Sequence, residues 1–238
     1  MKTKLIIVII FLFFGTNIKS QTFGVYIGGG YNSCSFHNLS RLDFIIDEYN
    51  NTRSFLTTKM PHISSMSGAS FNVGLYLWNF FGEMEWLGRT NTVYAEGNPT
   101  GSQVVRRDIK MRSNSINFAT GYCFPFFALG VSADIGSVPV FTRVYNSGDT
   151  PPGYTGIGNS DIMIGITAFA ELKIPISKGG FSHIIFKPYY QFPLSSADYG
   201  DLNAILNPNT YLTDNSPESD IRKNLGFEIK LQLGFGDK

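Results

Sequence analysis

The chain has 238 residues, a formal net charge of +1, 16% charged residues and 15% aromatic ones. Soluble domains carry about 25% charged residues, and a near-neutral balance gives no support for a nucleic-acid partner. Two cysteines permit one disulfide at most, and three histidines show no metal-ligand spacing.

Residues 1–20 read as a secretory signal peptide. Lys2 and Lys4 precede the apolar run Leu5 to Phe14, which Gly15, Thr16 and Asn17 interrupt before the small residue Ser20. The run is shorter than the roughly 20 residues of a membrane-spanning helix. Cleavage after Ser20 leaves residues 21–238 as one domain. Loss of Lys2, Lys4 and Lys19 moves the charge to −2 (+1 minus 3).

The first strand alternates Phe23, Val25, Ile27, Gly29 and Tyr31 with Gly24, Tyr26, Gly28 and Gly30. A long connection follows, and it contains a predicted helix. Ser40 and Asp43 have capping-box spacing, and Leu39, Leu42, Ile45, Ile46 and Tyr49 recur at helical intervals. That stripe serves either as a lid packed on the neighbouring loops or as a surface for a partner.

The second strand sets Phe71, Val73, Leu75 and Leu77 against Asn72, Gly74, Tyr76 and Trp78. The third sets Met84 and Trp86 against Glu83, Glu85 and Arg89. The fourth, Val104 to Tyr122, changes phase: Ile109 and Met111 fit one face, Ile116 and Phe118 the other. Either a β-bulge between Arg112 and Ser115 flips the faces, or the outer half projects above the membrane and ignores the lipid pattern. The fifth sets Leu129, Val131, Ala133 and Ile135 against Gly130, Ser132 and Asp134. The sixth sets alternate apolar residues from Ile162 to Ile174 against Asp161, Thr167, Glu171 and Lys173. The seventh sets Ile184, Phe186, Tyr190 and Phe192 against His183, Lys187, Tyr189 and Gln191. The eighth is the most regular, with Leu225, Phe227, Ile229, Leu231, Leu233 and Phe235 opposite Asn224, Gly226, Glu228, Lys230, Gln232 and Gly234.

Period-two alternation alone does not tell a membrane barrel from a secreted sandwich or lipocalin-like barrel, whose apolar faces point inward. Three features favour the membrane. Charge is low. Short links (78–81, 123–126, 176–180) alternate with long ones (33–67, 95–103, 136–160, 193–221). Aromatics gather at the short-link end: Trp78, Phe80, Phe81, Phe124, Phe126, Phe127 and Phe181. The expected fold is all-β, an eight-stranded antiparallel up-and-down transmembrane β-barrel with one short helix in the first extracellular loop. Cys34 then lies at the outer mouth and Cys123 near a periplasmic turn, too far apart for a disulfide, which needs Cα atoms about 6 Å apart.

With lipid on the apolar face, the charges fall in the lumen. The acidic set is Glu83, Glu85, Asp108, Asp134, Glu171 and Glu228; the basic set is Arg89, Lys110, Arg112, Lys173, Lys187 and Lys230. Balanced charges in so narrow a barrel read as a paired, sealing core; a single-sign lining would have read as a pore. No catalytic constellation emerges. Ser182 and His183 are adjacent on a strand and point to opposite faces, Gly28 to Gly30 lack the spacing of a phosphate loop, and His37 and His62 stand apart. Loop acids Asp149, Asp161, Asp198, Asp201, Asp214, Glu218 and Asp220 show no ordered calcium-ligand pattern. No enzyme activity, cofactor or metal is expected.

Gln21 at the mature start, the strand YIGGGYNS (26–33), the loop helix LSRLDFIIDEYN (39–50) and the end FEIKLQLGFG (227–236) resemble the outer-membrane β-barrel domain family. That family is similar in architecture to OmpA/OmpX-type barrels. The resemblance implies location in a Gram-negative outer membrane, with membrane lipid around the barrel and protein partners reached through the extracellular loops. The expected role is a structural or interaction scaffold, as part of a secretion, adhesion or uptake assembly. A small passive pore is the alternative, and a lipid- or peptide-acting enzyme the third.

Overall fold

The structure, a computed structural model, describes residues 23–37, 39–157, 162–176, 182–209 and 223–237. The predicted signal peptide and its cleavage site lie outside the described residues, as do Asp161, Phe181, Asp214, Glu218 and Asp220. In chain order the elements are β1 (Phe23–His37), α1 (Ser40–Asn51), β2 (Leu56–Thr58), β3 (Ser65–Leu77), β4 (Phe80–Gly97), β5 (Val105–Cys123) and β6 (Phe127–Ser137). They continue with β7 (Val140–Asn146), β8 (Thr155–Ile157), β9 (Ile162–Pro175), β10 (His183–Pro193), α2 (Gly200–Leu206) and β11 (Lys223–Asp237).

Eight strands close a ring: β1, β3, β4, β5, β6, β9, β10 and β11, each antiparallel to the next. β11 returns to β1 from Phe23↔Asp237 to His37↔Lys223, so the first and last strands seal the sheet along their whole length. Closure leaves the ring no unpaired edge, which is what lets strands cross lipid without exposing backbone polar groups.

The alternating patterns resolve into two faces. Outward are Ile27, Val73, Met84, Phe118, Val131, Ile166, Phe186 and Ile229, each at least 39% exposed; inward neighbours such as Asn72, Glu85, Asn117, Thr167, Lys187 and Glu228 are 5% exposed or less. A water-soluble barrel would reverse this distribution. Apolar residues stand outside and charges inside, so the ring is a transmembrane barrel.

At the short-turn end Trp78, Phe80 and Phe126 are exposed, 56–68% accessible, and Phe23 and Phe235 join them. Trp78 adopts a φ of 55° in the turn between β3 and β4. Phe81, expected in this rim, instead points inward at 2% exposure and lies 6.1 Å from the Phe169 ring. Its odd position in β4 puts it on the face of Glu83 and Glu85.

Beyond the long-loop end the sheet continues upward as a blade. β2 pairs with β4, β7 with β5, and β8 with β7. The blade and α2 were not foreseen. Their segments are short and lie in polar connections, so pattern alone does not separate them from loop.

The phase change in β5 has a definite cause. Its register with β4 runs unbroken from Phe80↔Tyr122 to Gly97↔Val105, so no bulge flips the faces. Odd residues point inward throughout: Asn117 and Ala119 into the lumen, Ile109 and Met111 into the space above it. The outer half of the strand projects above the membrane, where the polarity of inside and outside is reversed.

Candidate functional site

Inward-facing residues of six strands meet at mid-barrel. Lys230 Nζ lies 3.0 Å from Glu83 Oε1, 3.1 Å from Glu85 Oε1 and 3.5 Å from Glu171 Oε1. Lys187 Nζ lies 2.6 Å from Glu85 Oε2 and 3.3 Å from Glu228 Oε2, with the Phe169 ring 4.4 Å below it. Lys173 pairs with Glu171 at 3.4 Å and reaches Tyr76 Oη at 3.1 Å and Cys123 Sγ at 3.3 Å. Each ammonium is thus shared among several acceptors from different strands, the arrangement that offsets the cost of removing charges from water.

Inward glycines make room for this packing. A Cβ on Gly74 would fall 2.4 Å from the Tyr26 ring, and one on Gly226 would fall 2.3 Å from the Tyr189 ring. Each phenol therefore lies over the glycine opposite it on the neighbouring strand and fills the lumen beside the ion pairs.

Above the pairs the lumen is less tightly bonded. Asp134 accepts hydrogen bonds from Ser132 Oγ (2.6 Å), Gln191 Nε2 (2.8 Å) and the Thr167 hydroxyl. Arg89 donates its Nε–H to the Asn32 side-chain oxygen Oδ1. A small cavity of about 40 Å³ lies beside Arg89 and Asp134 and is also lined by Phe36, Met66, Met163, Gln191 and Asn224.

Of the twelve residues expected in the lumen, nine are there: Glu83, Glu85, Arg89, Asp134, Glu171, Lys173, Lys187, Glu228 and Lys230, all 6% exposed or less. Asp108, Lys110 and Arg112 are not. Being even-numbered in β5, they point outward, and they lie on the part of the strand that rises past the apolar band. Of the expected set, the lumen therefore holds five carboxylates and four cations among the described residues, rather than six of each.

A second core closes the outer mouth. Leu39, Leu42, Ile45, Ile46 and Tyr49 are all buried, at 0–5% exposure, with Met60, Ile63, Leu202 and Leu206. The inner face of the blade (Val93, Ala95, Ile109, Met111, Val140) belongs to the same cluster. Polar ties hold it. Asn50 exchanges two 2.9 Å hydrogen bonds with the Met60 backbone, and Asn207 Nδ2 donates to the Ile45 carbonyl at 3.0 Å. The His62 Nε2 lies 2.9 Å from Asp47 Oδ1. The expected stripe of α1 is thus interior to a cap, and no partner reaches it while the cap is closed. The expected capping box also shifts. Leu39 occupies the N-cap and makes no side-chain cap bond, while the Asp43 carboxylate faces His62 at 3.6 Å.

On the outer face of the blade Asp108 receives Arg106 Nε at 2.7 Å and Arg143 Nη2 at 2.7 Å. The Arg106 guanidinium stacks 3.7 Å from the Tyr94 ring, and that of Arg143 stacks 4.2 Å from Tyr154. Burial opposes the charge on Asp108, but the hydrogen bonds from Arg106 and Arg143 prevail and hold its carboxyl below the ordinary aspartate range. Neither cysteine is bridged: Cys34 sits at the outer end opposite Met66, and Cys123 at the turn end opposite Ala128. Among the described residues no group of His, Cys, Asp and Glu is arranged to hold a metal ion.

No protein-family model and no curated protein matches the chain. Among solved structures it is similar to Ail, the attachment invasion locus protein of Yersinia pestis, at 8% identity over 89% of this chain and 98% of that one, with a TM-score of 0.43. The same protein in complex with the heparin analogue sucrose octasulfate gives 8% identity over 90% and 99%, with a TM-score of 0.46. The outer membrane protein OprG from Pseudomonas aeruginosa gives 7% identity over 91% and 98%, with a TM-score of 0.40. The architecture of this chain rests on its own closed ring and its reversed polarity.

Proposed function

We propose that this protein is a non-enzymatic outer-membrane scaffold whose sealed barrel holds a folded extracellular cap and blade in position for interaction, as a component of a secretion, adhesion or uptake assembly. One observation carries the reading. The lumen is crossed by multiply shared ion pairs centred on Lys187 and Lys230, and the mouth above them is closed by an apolar cap. A pore needs a continuous wet path with partners an ion can leave. Here the path is occupied by side chains that hold one another, and the ordered mass outside the membrane exceeds what a bare barrel requires.

Planar-bilayer recording separates this role from a passive pore. Folded wild-type protein is expected to give no single-channel steps. Ile45→Ala, at a position that is 0% exposed, removes about 2–4 kcal/mol of cap packing and should leave the recording silent, because the ion pairs beneath still block the lumen. Resolved steps from the wild type would replace the scaffold with a pore. Deletion of residues 39–64 should abolish assembly with the partner while the barrel still inserts; an unchanged cross-linking pattern in native membranes would refute display by the cap.

A further inference from the structure

The outward face of β5 changes character in a fixed order. From the turn end upward it presents Tyr122, Thr120, Phe118, Ile116, Asn114, Arg112 and Lys110. Phe118 and Ile116 are 54% and 46% exposed, facing lipid. Arg112 lies about ten residues above Tyr122. At about 3.3 Å per residue and a tilt of about 40°, that is ~25 Å, the height of the apolar band of such barrels. Lys110 stands one pleat higher on the same face. The stripe therefore begins where hydrocarbon gives way to headgroups.

Higher up, Arg106 is paired with Asp108 and Glu96, and Arg143 with Asp108. Arg112 and Lys110 are not: among the described residues no carboxylate lies within ion-pair distance of either. Arg112 is exposed, and Lys110 has only the Tyr154 ring, 5.3 Å away. Their neighbours across the strand pair are the neutral Thr90 and Thr92, which neither repel an anion nor compete with it.

We propose that Lys110 and Arg112 form a docking stripe for the phosphate groups of outer-leaflet lipid headgroups. Two cations on one face, about 7 Å apart along the strand, suit two phosphate oxygens or two phosphates of one headgroup. A soluble acidic partner is disfavoured by position, because lipid surrounds the strand immediately below and headgroups fill the adjacent layer. The stripe stands where this strand leaves the lipid pattern. It rests on the transmembrane reading but not on the scaffold role, and it would stand if the barrel conducted.

The test is binding of diphosphoryl lipid A to the detergent-solubilised full barrel, read by native mass spectrometry, with enzymatically dephosphorylated lipid A and inorganic phosphate as comparison probes. Wild-type protein should retain the phosphorylated lipid, and added salt should weaken that retention. K110Q and R112Q should each lower affinity about fivefold and together about thirtyfold, while K59Q, which removes an exposed loop cation, changes nothing. T90E keeps both cations but places a carboxylate opposite Arg112, and should weaken binding comparably. Heat-dependent gel migration verifies that each variant folds. Equal affinity in K110Q/R112Q, or equal retention of the dephosphorylated lipid, would overturn the proposal. Displacement by millimolar inorganic phosphate would assign the stripe to a free anion instead of a lipid.

Discussion

Where β5 crosses the membrane, Asn117 and Ala119 face inward and Ile116 and Phe118 outward. A few residues higher the same two faces carry Ile109 and Met111 inward and Lys110 and Arg112 outward. The backbone does not change; the solvent does. Inside the bilayer band the apolar surface belongs against lipid and polar groups pair in the lumen. Above it, water surrounds the chain and the apolar groups retreat into the cap. The protein thus holds two cores of opposite chemistry, an ionic one below and an apolar one above, joined by strands that run through both. In the lower one the stabilising contacts are few and directional. In the upper one they are many and interchangeable.

The sharpest way to break this contrast is at the ionic core. Lys230→Met keeps the volume but leaves Glu83 and Glu85 short of a counter-ion. The expected cost is about 3–5 kcal/mol, measured as a lower urea midpoint in detergent, and a change below about 1 kcal/mol would mean that the lumen is not held by these pairs. The membrane boundary is tested by moving one charge along the outward face. Phe118→Arg places a guanidinium in the hydrocarbon and should cost about 2–4 kcal/mol, whereas Thr92→Arg, outward but above the band, should cost about 0–1 kcal/mol. Equal costs in a vesicle-based folding titration would erase the boundary drawn at Arg112.

The smallest effect is expected at the blade. A carboxyl held below its unfolded value contributes stability at neutral pH and loses it as the pH falls from the ordinary aspartate value through the lower folded one. Asp108 is such a group. The loop between β7 and β8 should therefore become more sensitive to an acid-active protease only below about pH 4, while the ring strands remain protected. Asp108→Asn should remove that pH dependence. Sensitivity that rises already near pH 6 would point to another group.

The barrel was legible because lipid imposes period two on every crossing strand. Leu225 to Phe235 and Ile162 to Ile174 could adopt no other face assignment without putting charges into hydrocarbon. Nine of the lumen charges followed from the same rule. Asp108, Lys110 and Arg112 did not, because the rule of apolar residues outward and charges inward holds only within the membrane band, whereas the inward parity of odd residues runs unbroken up β5, and a one-dimensional pattern does not mark where lipid ends. The α1 stripe was visible from its spacing, but its partners were not. Met60 and Ile63 lie in an irregular segment, Leu202 and Leu206 come from the far end of the chain, and α2 is too short to announce itself by periodicity.

The sequence by itself determined the ring: the number of crossing strands, their inward and outward faces, and which end carries the long loops. The strands follow from local alternation, and their faces and ends from the low charge, the link lengths and the aromatic rim. Only the tertiary structure decided where along β5 that solvent changes, that the loops fold into a capped blade, and which carboxylate each lysine shares. Those depend on distances between strands far apart in the chain, which alternation along one strand does not encode.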